Sequence, residues 1–331
     1  MKITTIVTVY NLEAFVADAI DSVLSQTRPS DEIIVVDDAS TDRSPAIVAR
    51  YGDRVRYIRQ PQNGGALKNT LSGLREAQGD LVAFLDGDDV WIPTKLEQLE
   101  RLFLEDSAMV LASHQHVYVN ETLGDLGVQD ATHRNIDRIM SRVPKTERSA
   151  ALRHSVLFRR GYWLGSAYVI RRSMLDLEQY ERIIGQYSQT AFAYLDLTIG
   201  PFVVASNPTA SVGMVNQRLF KYRQHSNNSC NTVSIESARR GCLRARSTNQ
   251  LTYELIKKYD ADGKLKARYA NIDGEYELID SQYRRDFWGS LSQYARSLPH
   301  LVRERKVSKE SLRLIATALF GPERFLKMKQ S

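Results

Sequence analysis

The chain has 331 residues, 43% hydrophobic and 25% charged with a net charge of +6, which suits one large soluble domain plus an appendage. No apolar stretch reaches the roughly 18 residues of a membrane-spanning helix, and the amino terminus lacks every part of a secretory leader. Two cysteines, Cys230 and Cys242, supply neither a disulfide framework nor metal-ligand spacing, so a reducing cytoplasm is the expected compartment.

The first predicted strand, Ile3 to Val9, ends at Tyr10-Asn11. Leu12, Phe15, Val16, Ala19, Ile20, Val23 and Leu24 then recur at helical spacing, with Asn11 as the expected N-cap. Ile33 to Val36 predicts a second buried strand that ends in Asp37-Asp38-Ala39-Ser40-Thr41-Asp42. Asp37 is expected to face inward or cap the next turn; Asp42 either caps the following helix or joins a site. A third strand, Val55 to Ile58, leads through Asn63-Gly64-Gly65 to a helix from Ala66 to Ala77. The apolar run Leu81 to Leu85 reads as a buried strand and ends in Asp86-Gly87-Asp88-Asp89. A helix from about Thr94 to Leu104 and a strand from Ala108 to Ala112 follow. This alternation predicts βαβ units, hence an α/β fold with a mainly parallel sheet flanked by helices.

Position carries more than any single motif. Three successive strands each deliver polar residues at the same end: Thr8, Tyr10 and Asn11; then Asp37, Asp38, Ser40 and Asp42; then Asp86, Asp88 and Asp89. Parallel strands joined by helices bring those ends to one rim, where open α/β sheets bind ligands. Carboxylates crowded there repel one another unless a cation offsets them, and Mg²⁺ or Mn²⁺ favours oxygen ligands. No G-x-G-x-x-G follows the first strand and no phosphate-binding G-x-x-x-x-G-K-[ST] occurs, which leaves the dinucleotide and P-loop readings unsupported.

Residues from about Asn120 to Arg160 are polar and irregular, as in a lid, an acceptor loop or a disordered segment. Gly161 to Arg172 carries Trp163, a residue for the core or for stacking on a ligand. Helices rich in Tyr, Arg and Lys are predicted from about Ser234, with Tyr276, Leu278, Ile279, Tyr283, Phe287 and Trp288 as packing residues. From Leu301 to Ser331, eight Lys/Arg stand against three Glu. With Phe320, Phe325 and Leu326, that tail reads either as a packing helix or as a peripheral contact with anionic lipid.

Four segments together resemble the inverting glycosyltransferases of family 2, which carry the nucleotide-sugar-binding GT-A fold. They are Val7-Thr8-Val9-Tyr10-Asn11, Val36 to Asp42, Asn63 to Asn69, and Leu85 to Asp89 with Pro93-Thr94-Lys95-Leu96. The resemblance is strongest over 1–115 and extends to about 230. It implies a GT-A domain over 1–230, divided into a nucleotide-sugar-binding half (1–115) and an acceptor half (116–230), with a helical carboxy-terminal extension over 231–331.

The resemblance also implies roles. Thr8, Tyr10, Asn11 and Asp38 would line the nucleotide pocket, and Lys68 would approach the diphosphate. Asp86-Gly87-Asp88-Asp89 resembles the DXD motif: Asp86 would hold the ribose, and Asp88, then Asp89, would bind Mn²⁺ or Mg²⁺. Phe220 to Ser229 resembles the Tyr-Arg-x-His-x-x-Asn segment, with His225 completing the metal shell or meeting the diphosphate beside Arg223. The base that deprotonates the acceptor would be Asp196, in Tyr194-Leu195-Asp196-Leu197, with Asp176 and Glu181 as alternatives.

The expected activity is metal-dependent, inverting transfer of a sugar from a UDP- or dTDP-sugar to a carbohydrate or lipid-linked glycan in surface polysaccharide synthesis. The work would be cytoplasmic, at or near the inner face of the membrane, with no nucleic-acid partner. A catalytically degenerate scaffold for glycan assembly is the competing reading. A sugar-nucleotide nucleotidyltransferase is the other, disfavoured because no glycine-rich basic loop follows the first strand.

Overall fold

The computed structural model describes residues 1–159, 164–187, 193–226, 228, 234–284, 287–303 and 322. The chain divides into two compact units, Met1–His225 and Ser226–Ser331.

The first unit is built on one sheet of eight strands. Its amino-terminal half runs β1 (Ile3–Val9), α1 (Val16–Leu24), β2 (Glu32–Asp37), α2 (Ser44–Ala49), β3 (Arg56–Arg59), α3 (Ala66–Glu76), β4 (Leu81–Asp86), β5 (Val90–Trp91) and α4 (Lys95–Glu105). The second half runs β6 (Met109–Val119), α5 (Ala131–Arg142), α6 (Lys145–Leu157), β7 (Val169–Arg171), α7 (Leu177–Gly185), α8 (Asp196–Ser206) and β8 (Ser211–Arg223). The strand order is β3-β2-β1-β4-β7-β6-β8-β5. β3, β2, β1 and β4 are parallel, as the strand-helix alternation predicts. β7 is antiparallel to both β4 and β6, and β5 to β8, so the complete sheet is mixed. The amino-terminal half is the expected α/β, Rossmann-like arrangement of parallel strands and helices.

Both faces of the parallel half are covered, which is why β2 and β4 read as continuous apolar runs, while β1 mixes buried threonines with its apolar residues and the edge strand β3 is less buried. Val7, Val9, Ile33, Val35, Ala83 and Leu85 form one cluster with Val16, Ala19, Ile20 and Val23 of α1 and Leu96, Leu99 and Phe103 of α4. On the other face, α3 lies so close that a Cβ on Gly73 would sit 2.7 Å from Ile6 Cγ2 and 3.0 Å from Val36 Cγ2. The helix touches the sheet through a glycine, and no larger residue fits there without displacing it.

Several local expectations are corrected. Asn11 does not cap α1: the helix begins at Val16 without a side-chain cap, and Asn11, at φ 52, accepts instead from the Thr41 amide at 2.8 Å. The polar stretch from Asn120 to Arg160 is not an irregular loop, since α5 and α6 occupy most of it. Asp130 opens α5 by accepting from the Thr132 and His133 amides, a signal masked in the sequence by the surrounding charges. The short α2 has too few turns to show a period in the sequence. Asp42 is not its N-cap, a position held by Arg43; its carboxylate accepts from the Ser44 and Glu13 amides, both at 2.9 Å.

The second unit contains α9 (Ile235–Ile256), α10 (Lys264–Tyr283) and α11 (Phe287–Arg303). A Ser234–Ser237 capping box starts α9, and Arg239 of α9 pairs with Asp280 of α10 at 2.9 Å. Leu278 and Tyr283 are buried. The side chains of Phe287 and Trp288 and nearly all of the basic tail, including Phe320, Phe325 and Leu326, lie outside the described residues, as does Cys230. Among the described residues no helix is long and apolar enough to cross a membrane.

Gly73→Ala tests the α3 contact. The added methyl forces Ile6, Val36 or the helix to shift, and the expected cost is about 1–3 kcal/mol. It should appear as a lower urea midpoint at unchanged slope; an unchanged midpoint would contradict the close packing described.

Candidate active site

The acidic loop is set by backbone bonds before any side chain acts. β4 ends at Asp86, and the next amide, that of Gly87, donates to Thr8 O of β1 at 2.8 Å. A Cβ at Gly87 would lie 2.7 Å from that same oxygen, so glycine alone permits the approach. The Asp89 amide then closes a turn onto Asp86 O at 3.0 Å. Three carboxylates leave the strand in three directions.

Asp86 is exposed, and one of its oxygens accepts from Thr8 Oγ1 at 3.0 Å. Asp88 is half-buried, and its Oδ2 lies 3.0 Å from His225 Nε2. Asp89 is buried with both oxygens engaged: Oδ2 accepts from Ser166 Oγ at 2.6 Å and Oδ1 from the Arg223 amide at 3.0 Å. Ser166 holds the loop at further points. Its Oγ accepts from the Asp86 amide at 3.0 Å, and its carbonyl accepts from Trp91 Nε1 at 2.9 Å and Lys95 Nζ at 2.6 Å.

The electrostatics follow from this crowding. Burial, and then the charges of Asp88 and Asp86, push the Asp89 carboxyl well above the usual carboxylate range. Burial pushes the Lys95 ammonium well down, opposed by Asp89. Lys95 Nζ also lies over the Trp91 ring, 3.4 Å from its centroid. A cation close to Asp86 and Asp88 would relieve the repulsion, and Asp88 Oδ2 with His225 Nε2 is an oxygen–imidazole pair suited to Mn²⁺ or Mg²⁺ with further oxygen ligands.

Arg223, expected only to lie near His225, turns into the protein. Its guanidinium is buried, with Nε donating to Asp88 O at 2.8 Å, Nη1 to Glu121 O at 2.5 Å and Nη2 to Asp18 at 2.7 Å. It also lies over Phe15, whose ring packs on that of His225 with centroids 4.5 Å apart. The side chain thus fixes the acidic loop and, through Phe15, the face behind His225.

The second acidic cluster divides into an inward and a loop-facing residue. Asp37 is buried and accepts from the Ser40 amide at 2.9 Å and from Tyr57 Oη at 2.5 Å, an internal role. Asp38 accepts from the Gly64 and Gly65 amides, one on each oxygen and both at 2.8 Å, and its own amide donates to Val9 O. It therefore ties the end of β1 to the loop entering α3, and each carboxylate oxygen keeps acceptor capacity for a ligand. Lys68 is exposed in the first turn of α3, beside Gly64; Tyr10 is exposed at the end of β1. Asn11 locks the loop through Ser40 and Thr41.

The base candidates separate. Asp196 is the first residue of α8, but its side chain and all of Trp163 lie outside the described residues. Asp176 caps α7 by accepting from the Gln179 amide, and Glu181 pairs with Arg75 at 2.7 Å. Both alternatives thus have structural partners. Ser166 is a residue that sequence reasoning does not reach, and no local signal exposes it: it meets Asp89 across 77 positions of chain.

Comparison with known proteins identifies the domain that carries these residues. The Glycosyl transferase family 2 model matches residues 4–165. A glycosyltransferase of Nostoc sp. is 29% identical over 306 residues, covering 89% of this chain and 84% of that protein. A Bacillus subtilis protein named for teichuronic acid biosynthesis, TuaG, is 39% identical over 101 residues, but these span only 30% of this chain and 40% of TuaG. Among solved structures, residues 1–349 of S. aureus TarS with UDP-GlcNAc share the fold, with a TM-score of 0.54 and 17% identity over 96% of this chain and 91% of that one. With its aspartates at the strand ends and the family match covering them, residues 4–165 form a Glycosyl transferase family 2 domain, and the chain is a glycosyltransferase.

Proposed function

We propose that this glycosyltransferase moves a sugar from a UDP- or dTDP-sugar to a glycan or lipid-linked glycan in cytoplasmic steps of surface polysaccharide assembly, with inversion at the anomeric carbon. The observation that carries this reading is the pairing of Asp88 with His225 beside Asp86 and Thr8, at the carboxyl ends of parallel strands. The names of relatives support the polymer class, since TuaG is named for teichuronic acid biosynthesis. The UDP-GlcNAc in the TarS complex supports a uridine donor on this fold.

In this proposal Asp38 accepts the imide N–H of the base, the exposed Tyr10 ring offers a face for it, and Asp86 takes a ribose hydroxyl. Lys68 approaches the diphosphate as a point charge. Asp88 and His225 would hold Mn²⁺ or Mg²⁺, which would supply Lewis-acid neutralisation of charge on the departing diphosphate, while Asp89 fixes the loop that carries Asp88. Asp196 takes the proton of the acceptor hydroxyl as that oxygen attacks the anomeric carbon and the sugar–diphosphate bond breaks on the opposite face. Arg223 and Ser166 act at one remove, by holding Asp88 and Asp89 in place.

Thermal stabilisation by a panel of nucleotides, with and without Mn²⁺, tests the donor. UDP or dTDP at 100 times its dissociation constant should stabilise by about 2.7 kcal/mol, more with Mn²⁺ than without. Stabilisation by purine nucleotides alone would contradict the UDP or dTDP donor, and stabilisation by none would favour the scaffold reading. Asp196→Asn should lower transfer by about two orders of magnitude or more while leaving UDP stabilisation intact; unchanged turnover would remove Asp196 as the base. Ser166→Ala should cost about 1–3 kcal/mol of stability by leaving Asp89 short of a donor, and should raise the Mn²⁺ concentration needed for half-maximal turnover. A stability loss without that shift would limit Ser166 to the fold.

A further inference from the structure

A second cluster of metal-ligating side chains lies on β6 and the start of α5, apart from the acidic loop. His116, Asp130 and His133 each offer one ligand atom, all within 4.8 Å of one another. His116 stands opposite Phe220 in the β6–β8 register, three positions before Val119, which stands opposite Arg223.

Three observations point to a ligand. First, the Nε2 atom of His116 is buried and has no hydrogen-bond partner among the described residues, on a residue 3% exposed. Such an orphan costs about 1–3 kcal/mol and asks for an explanation, an ion among them. The His116 ring lies 4.3 Å from the His133 ring, between centroids, and packs against Tyr118 and Phe220. Second, His133 meets acceptors at both nitrogens: Nε2 lies 2.7 Å from His116 O, and Nδ1 lies 2.9 Å from Asp130 Oδ1. If Nε2–H donates to the carbonyl, the Nδ1 lone pair faces a carboxylate oxygen. The Asp130 amide, at 3.3 Å, is then its one nearby donor, and a cation between Nδ1 and Oδ1 reconciles the two. Third, the outer bonds match those of metal-bound ligands, whose far atoms are held by carbonyls and hydroxyls. His133 has His116 O, and Asp130 Oδ2 accepts from Tyr118 Oη at 2.8 Å.

We infer that His116, Asp130 and His133 bind a first-row divalent transition ion of the Zn²⁺ class, pinning the start of α5 to β6. Two imidazoles and a carboxylate are a ligand set that zinc accepts with a fourth position left for water. The donor-site cation is a different ion, held by oxygen-rich groups, so the two sites separate by chemistry as well as by place.

The test is Zn²⁺ binding by the full chain stripped with chelator, measured by calorimetry in an Asp88→Asn background that disables the donor site. One equivalent should remain there. Adding Asp130→Asn, which keeps an N-cap side chain, should weaken Zn²⁺ by more than about tenfold, as should adding His116→Gln. Co²⁺ in place of Zn²⁺ should give the visible absorption of a low-symmetry, imidazole-bound ion in the Asp88→Asn protein and lose it with Asp130→Asn. If the folded Asp88→Asn protein binds no Zn²⁺, or binds it equally well with Asp130→Asn added, the site does not exist and Asp130 with His133 is a helix-capping pair alone.

Discussion

The active-site rim depends on one buried carboxylate. Asp89 is desolvated beside two other aspartates, an arrangement that costs free energy unless hydrogen bonds and opposite charge offset it. Ser166 and the Arg223 amide fill both of its oxygens, and Lys95 Nζ approaches the same serine from the carbonyl side. Those bonds draw the end of β4, the approach to β7 and the end of β8 onto one point. The loop between Asp86 and Asp89 then has little freedom, and Asp88 is left facing His225.

Sheet topology makes that convergence available. Parallel β1, β2 and β4 bring the ends carrying Thr8, Asp38 and Asp86 to the same rim. The long β8 then returns alongside β6 and delivers Arg223 and His225 to it, the histidine 137 positions further along the chain than Asp88. Arg223 serves as a buried strut, tying Asp88 O, Glu121 O and Asp18 together, and its planar fork suits three acceptors in fixed directions. A lysine there could not meet all three in that geometry.

The parts legible in the sequence are those with short-range signals. Continuous apolar runs mark β2 and β4, β-branched residues mark β1, and the polar residues at their ends locate the rim. The extent of α6 is not legible, because its apolar residues have weak periodic contrast, whereas α5 carries a clear amphipathic period, with Ile136 and Ile139 on its buried face, that is overlooked within a stretch so polar in composition. The division of labour between Asp88 and Asp89 is hidden as well. Adjacent aspartates look equivalent in sequence, and only Ser166 and Arg223, brought in across the sheet, make one of them internal and leave the other facing His225. The motif around Arg223 puts it near the site, but its direction, toward the protein's own carbonyls, is a tertiary fact.

The central claim is that Asp88, and not its neighbour, carries the donor-site cation while Asp89 holds the loop. Mn²⁺ titration in the presence of UDP, followed by the loss of the free-ion signal in electron paramagnetic resonance, tests it directly in Asp88→Asn and Asp89→Asn proteins. The account predicts that Asp88→Asn abolishes UDP-dependent Mn²⁺ uptake at an unchanged melting temperature, whereas Asp89→Asn lowers the melting temperature and retains uptake. Uptake retained by Asp88→Asn and lost by a folded Asp89→Asn protein would contradict it.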